Sequence, residues 1–440
     1  MRKKILYIAV GLLLTGCTSD EEQSGNVLGN DNAIVLGVKE VKSPESRAQH
    51  TGSMNFTELK STGFGVYGYK GTYNNASSAP TLFAGGANTQ VTFIAGGTEP
   101  TTTVVHPGNW KYAATKENLR EWEKNEKYTF FAYAPYMSAG EVGDGINTIS
   151  TGNGDPSIAY TVAADPAKSV DLMWGLRSDT GFPWKDVTST TSAGSVMFSF
   201  YHALCAIGYH AQVIVDKDNN LTDIEDQSGI GDIGKDCKLT IKSITLEPNN
   251  ANSKPGLFYE TGILNLNNGT AHTPSWGSLS GSIGSLVLSG SKIDSRLLDP
   301  APADAAAIAA FMGNASIPGV TQSANTQAVI DSVADKERFY MLLPYAAKDY
   351  KLTVKYFITF RTGDTTYSRG LGELTGTALL NDLELKPGIK YYFNMVFGLT
   401  TFKLNVLAKD WDGQIINTSV VVENGTSASQ SLAKELSITE

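Results

Sequence analysis

The sequence predicts an all-β protein built as two β-sandwich domains in series, with a few short helices in insertions. Three observations carry that expectation. Charged residues make up only 18% of the chain while it holds 44 Gly and 19 Tyr, a composition suited to strands and turns rather than long helices. Short runs alternate apolar and other residues at period two, and clusters of Gly, Pro, Asn and Thr separate them. At 440 residues the chain exceeds one ordinary domain. The net charge of −9 and pI near 5.2 argue against nucleic acid as a partner, and no basic cluster long enough to track phosphates follows the N-terminus.

At the start, Arg2, Lys3 and Lys4 precede a short apolar run from Ile5 to Leu14, and Leu14-Thr15-Gly16-Cys17 matches the bacterial lipobox. The run is too short to span a bilayer comfortably. The match implies a signal peptide over residues 1–16 and lipidation of Cys17, where several acyl chains, palmitate included, give a stable anchor in the cell outer membrane. Thr18-Ser19-Asp20-Glu21-Glu22 is similar to the surface-export signal of Bacteroidetes lipoproteins, and a solvated linker has the same composition. Residues 17–32, polar and rich in Gly and Asn, suit a tether.

The N-terminal sandwich is expected over 33–215. Its first strand is Ala33 to Val41, with Ile34, Leu36 and Val38 on one face and Val35 on the other, followed by Ser43-Pro44-Glu45-Ser46-Arg47. Met54 to Leu59 reads as a linking piece. Thr62 to Tyr69 alternates aromatics and glycines; Gly63, Gly65 and Gly68 fit a dinucleotide-binding spacing, but Val66, Tyr67 and Tyr69 continue a strand where that motif needs a helix. Further strands are expected at Gln90 to Ile94, Tyr128 to Tyr133, Asp171 to Gly175 and Val196 to Ile214, with a short helix over Thr115 to Lys124. In the last run Tyr201, Ala203, Cys205, Ile207, Tyr209 and Val213 share one face, which makes Cys205 a core residue; one bridge between Cys205 and Cys237 is allowed but not required.

Residues 216–236 read as a linker. Asp216, Asp218 and Asn220 begin a calcium-loop spacing that fails at Leu221 and Gln227. The C-terminal sandwich is expected over 237–412. Its strands are Lys238 to Glu247 with a small irregularity, a hairpin strand over Leu257 to Leu266, Arg338 to Pro344, Tyr350 to Phe360, Gly388 to Phe397 and Thr401 to Leu407. Trp276 to Ser291 reads as a Gly/Ser-rich connection, and Pro302 to Gly313 as an alanine-rich helix.

Several segments taken in order resemble one family. The lipobox is followed by a strand ending Ser46-Arg47-Ala48, then Gly65-Val66-Tyr67-Gly68-Tyr69, Phe130-Phe131-Ala132-Tyr133-Ala134-Pro135, Asp171-Leu172-Met173-Trp174 and Phe198 to Ile207. Phe339 to Pro344, Leu385 to Tyr391 and Lys409-Asp410-Trp411-Asp412 complete the series. Together they resemble the fimbrillin, or Mfa-like and FimA-like, pilus subunits of Bacteroidetes. That resemblance implies two transthyretin-like sandwiches and a surface-exposed lipoprotein precursor. It implies a trypsin-like protease that cuts between Arg47 and Ala48, and loss of the strand carrying Ile34, Val35, Leu36 and Val38. Other pilus subunits then polymerise through the vacated groove into an adhesive fimbria. An ordinary loop arginine in an anchored monomer is the plain alternative.

Residues 413–440 hold the expected donor arm, with Ile416, Val420 and Val422 on one parity and Leu432, Leu436 and Ile438 on one parity further on. They read equally well as a last strand over Ser419 to Glu423 and a tail or short helix over Gln430 to Glu440. Stalk, tip and anchor roles all stay open.

The reading assigns no catalytic residue, no cofactor and no metal site. The Gly-x-Ser-x-Gly, His-Glu-x-x-His and phosphate-loop patterns do not occur. His202 and His210, placed on one strand, would lie roughly 26 Å apart, too far to share an ion. The other function class is a surface-anchored glycan- or ligand-binding lipoprotein that stays monomeric and stacks sugars on Trp110, Trp184 and Trp276.

Overall fold

A computed structural model describes residues 32–41, 54–75, 77–79, 82–83, 88–94, 110–112, 119–138, 145–149, 153–164, 168–213, 237–250, 257–288, 320–322, 328–331, 340–361, 367–369, 374–397, 402–410 and 415–417. Strands make up most of their regular structure, with one short helix. The first part holds β1 (Val35–Val41), α1 (Phe56–Thr62), β2 (Phe64–Lys70), β3 (Thr89–Phe93), β4 (Trp110–Lys111) and β5 (Tyr128–Ala134). There follow β6 (Ile146–Ile149), β7 (Ser157–Thr161), β8 (Met173–Leu176), β9 (Trp184–Val187), β10 (Ser195–His202) and β11 (Cys205–Val213). Next come β12 (Cys237–Pro248), β13 (Thr261–Thr270), β14 (Thr273–Ser280), β15 (Leu286–Val287), β16 (Val320–Gln322), β17 (Ala328–Asp331) and β18 (Tyr340–Leu342). The last are β19 (Tyr345–Arg361), β20 (Tyr367–Arg369), β21 (Leu374–Leu385), β22 (Ile389–Phe397), β23 (Phe402–Asp410) and β24 (Ile415–Asn417).

The first sheet has eight strands in the order β1-β10-β8-β5-β2-β3-β4, with β9 pairing β5. The second has seven, β16-β17-β11-β22-β23-β24 with β18 on β11. The third joins β15-β12-β19-β20 with β21 on β19, and the fourth is β14-β13-β7-β6. Ladders are antiparallel except β1 on β10 and β11 on β22, which run parallel.

Alternation along the strands of the first sheet feeds two different cores, because successive side chains point to opposite faces. Phe64 and Val66 of β2 and Phe130 and Ala132 of β5 enter a small core, built from residues between Ile34 and Phe200. Tyr67, Tyr69, Phe131 and Tyr133 enter a large core that runs on to Val406. With both faces covered, β2 and β5 read as continuous apolar runs. Gly65 and Gly68 belong to this packing: a Cβ there would strike the Tyr133 ring or the Phe83 ring. That explains the glycines without a cofactor.

Val196 to Ile214 is two strands, not one. The chain turns at Ala203-Leu204, stitched by Ala203 N–H to Leu172 O (2.9 Å) and Gly388 N–H to Leu204 O (2.8 Å), so β10 stays in the first sheet and β11 joins the second. His202 and His210 therefore lie on different strands. Pairing also crosses the expected division at residue 215, since β11 pairs β22 and β7 pairs β13. Burying these apolar strands on both sides requires partners from both halves of the chain. The linker 216–236 lies outside the described residues.

Other expectations change locally. Leu119 to Lys124 is extended rather than helical, since Glu121 bridges Ala33 and Trp122 is buried in the small core; tertiary burial overrides a weak helical pattern. Met54 to Leu59 leads into a helix. Asn55 caps α1 in a reciprocal capping box with Glu58, a pattern legible as Asn-x-x-Glu. The Gly/Ser-rich stretch after Trp276 begins inside β14, which pairs β13 around the turn at Ala271-His272. β21, in a Thr- and Gly-containing run, was not expected at all. The irregularity within Lys238 to Glu247 is a register shift between Ile241 and Ser243. The helix expected over Pro302 to Gly313 lies outside the described residues.

Candidate functional site

The first strand forms as expected, over Val35–Val41. Ile34 and Leu36 are fully buried and Val38 nearly so, all three in the small core. Burying three such aliphatic side chains stabilises by on the order of 5 to 9 kcal/mol. Val35, on the other face, is buried as well.

Its place in the sheet differs from a strand embedded between two neighbours. β1 ends the sheet order, and among the described residues its ladder over Val35–Val41 is the parallel one to β10, running from Val35 opposite Ser195 to Val41 opposite Phe200. Parallel pairing is slightly weaker per residue than antiparallel pairing. Attachment to one neighbour therefore leaves much of the holding to the apolar face.

The N-terminal end of the strand is gripped by a second segment. Ile34 N–H donates to Arg120 O (2.7 Å) and Trp122 N–H to Asn32 O (2.8 Å), flanking the Ala33 to Glu121 bridge. The Tyr112 hydroxyl donates to Ile34 O (3.0 Å) and accepts from Arg120 N–H (3.1 Å); its burial pushes the phenol up to about 12, so it stays a donor. Tyr112 follows β4, at the opposite end of the sheet order, so the sheet curls until its two ends meet around the small core. The Trp122 indole N–H, bonded to Gly194 O (3.1 Å), braces the same corner. Toward its C-terminal end β1 is polar, with Lys39 Nζ donating to Ser178 Oγ (2.7 Å) and Ser199 Oγ donating to Glu40 Oε1 (3.0 Å).

Behind this strand lies a buried polar cluster. Asp171 Oδ2 accepts from Met54 N–H (2.8 Å) and sits 2.7 Å from His202 Nδ1, with both side chains withdrawn from solvent. Lys390, at the start of β22, is buried too; desolvation lowers its ammonium to about 8, opposed by the charges of Asp171 and Glu58. The sequence offers no sign of this cluster, because Met54 and Asp171 are 117 residues apart.

The tryptophans do not form a sugar-stacking platform. Trp110 is 1% exposed and meets Phe64 and Phe93 edge-on. Trp276 packs against the large core with its indole N–H on Ala203 O (2.9 Å), and Arg177 lies over the Trp184 ring. Cys205 is a free, buried cysteine whose thiol is pushed up by desolvation, which fits a core residue. Among the described residues no group of three or more His, Cys, Asp or Glu is placed to hold a metal ion.

Of the remaining expected site residues, Ile416 lies in β24, opposite Ala408 of β23. Cys17, Arg47, Ala48, Val420, Val422, Leu432, Leu436 and Ile438 lie outside the described residues.

Residues 46–255 match the model of the Fimbrillin-like family. The chain is 28% identical over 250 residues to the fimbrium subunit Fim1C of Phocaeicola vulgatus, a match spanning 56% of this chain and 56% of that relative. A crystal structure of a fimbrial protein from Bacteroides vulgatus shares the fold, with a TM-score of 0.54 and 20% identity, covering 87% of this chain and 100% of that one. Residues 46–255 thus form a fimbrillin-like region of an all-β protein.

Proposed function

We propose that the chain is a structural subunit of a cell-surface fimbria, not an enzyme. It is exported as an outer-membrane lipoprotein acylated at Cys17, cut between Arg47 and Ala48 by a trypsin-like protease, and polymerised with other pilus subunits by donor-strand exchange to support adhesion. The observation that carries the reading is the state of β1: its apolar face fills the small core, yet it ends the sheet order, and among the described residues its ladder over Val35–Val41 is the parallel one to β10. Loss of such a strand leaves an apolar groove and the unpaired backbone edge of β10. Both are costly to expose and both are met by an extended segment from a neighbour. Arg47 follows Val41 by a few residues, so one cut frees the strand's C-terminal end.

On this reading the residues after Trp411 supply the donor, with Ile416, Val420 and Val422 or Leu432, Leu436 and Ile438 facing the small core of the next subunit. About 29 extended residues reach roughly 95 Å, ample for a neighbour. Trypsin treatment of the refolded precursor tests the mechanism. It should release the first strand and produce a ladder of SDS-resistant oligomers; Arg47→Ala should abolish the fragment beginning at Ala48, and Arg47→Ala combined with Lys42→Ala should abolish the ladder. A cut product that stays monomeric would rule out assembly through this strand.

A further inference from the structure

The next lysine or arginine after Arg47 is Lys60, and it lies in α1. A protease that cuts after basic residues thus meets a second site thirteen positions downstream. Cleavage there would also remove Met54 and Leu59, both buried in the small core against which the first strand packs. The groove would then lose a wall as well as a strand.

We propose that Asp171 and the capped helix α1 form a stop that confines processing to Arg47 by keeping Lys60 folded. This rests on the reading that the precursor is cut after Arg47. Proteases of this type bind an extended segment, so cutting after Lys60 requires α1 to unwind. Unwinding withdraws Leu59 from the interior and breaks the reciprocal Asn55 and Glu58 cap. It also removes the Met54 N–H from Asp171, leaving a buried carboxylate short of a donor. The Lys60 ammonium, 4.5 Å from the centroids of both the Phe56 and Phe93 rings, is itself held against the fold. None of these bonds is made to β1 itself: Asp171 precedes β8, and its other close partner, His202, ends β10 beyond the residues that ladder with β1. Departure of the first strand leaves the stop in place.

Limited trypsin digestion of the full-length chain, with the new N-termini followed by mass spectrometry, tests this. In the wild type the fragment beginning at Ala48 should accumulate, with the fragment beginning at Ser61 trailing by at least about a hundredfold. Asp171→Asn should speed the Ser61 fragment by about a hundredfold. Asn55→Ala, a milder change that keeps the fold, should speed it by about fivefold while Lys127 and Lys185 remain uncut. Equal rates for the two fragments in the wild type, or an unchanged Ser61 rate in Asn55→Ala, would overturn the stop. Absence of the Ala48 fragment would instead overturn the processing reading beneath it.

Discussion

The two cores of the molecule are assembled in opposite ways. Among the described residues the small core draws on residues from Ile34 to Phe200, and the first strand supplies Ile34, Leu36 and Val38. The large core interleaves both halves, from Tyr67 to Val406, and among the described residues it includes none from β1. A strand can therefore leave one core without opening the other. Phe64 and Tyr67, three residues apart on β2, show the division: the phenylalanine meets Trp110, Phe198 and Phe200, while the tyrosine points the other way toward Tyr133. Separate cores allow one part of the molecule to open with less disturbance of the other.

Four changes would break or sharpen the contrast. Phe64→Ala, at the centre of the small core, should cost about 3 to 5 kcal/mol in denaturant titration. Amide exchange should rise in β10 and not in β22; equal rises in both would show that the cores melt together. Leu36→Ala should cost about 2 to 4 kcal/mol by the same titration and speed amide exchange in β1 more than in β22, because it weakens the packing of β1 on the small core.

Lys390→Met probes the seam where the large core meets the buried carboxylates. Lys390 has a folded value near 8 against an ordinary 10.5, so the unfolded chain binds more protons between those limits and wild-type stability should rise with pH through that window. Below pH 8 the burial cost is fully present, and the methionine variant should be more stable there by about 1 to 2 kcal/mol. Urea midpoints from pH 7.5 to 9.5 should climb for the wild type and stay flat for the variant. A parallel climb in both would assign the effect to another group. The smallest effect is expected for Tyr112→Phe, which loses the hydrogen bond to Ile34 O and should cost about 1 kcal/mol. Its signature is faster exchange at Ile34, with β22 unchanged.

Much of the architecture was legible in the chain. Strands at 33–41, 62–69, 128–133, 350–360 and 388–397 all announced themselves by alternation between turn residues, and each forms within a few residues of its expected limits, the fourth lengthened at its start. The same rule placed Ile34, Leu36 and Val38 on one buried face. Short segments failed wherever burial outvoted pattern, as at Trp122, where an amphipathic spacing became an extended brace. The cap of α1 is written in the sequence as Asn55 with Glu58 three residues on.

By itself, then, the sequence determined that the protein is all-β and that its first strand has a core-facing side, since period-two alternation and turn chemistry are properties of adjacent residues. Only the tertiary structure decided that β1 sits at an edge in parallel with β10, that β10 and β11 part company at Ala203, and that Asp171 reaches Met54 across 117 residues. Strand neighbours and buried charge partners are selected by which surfaces the whole chain can hide at once. No local stretch carries that information.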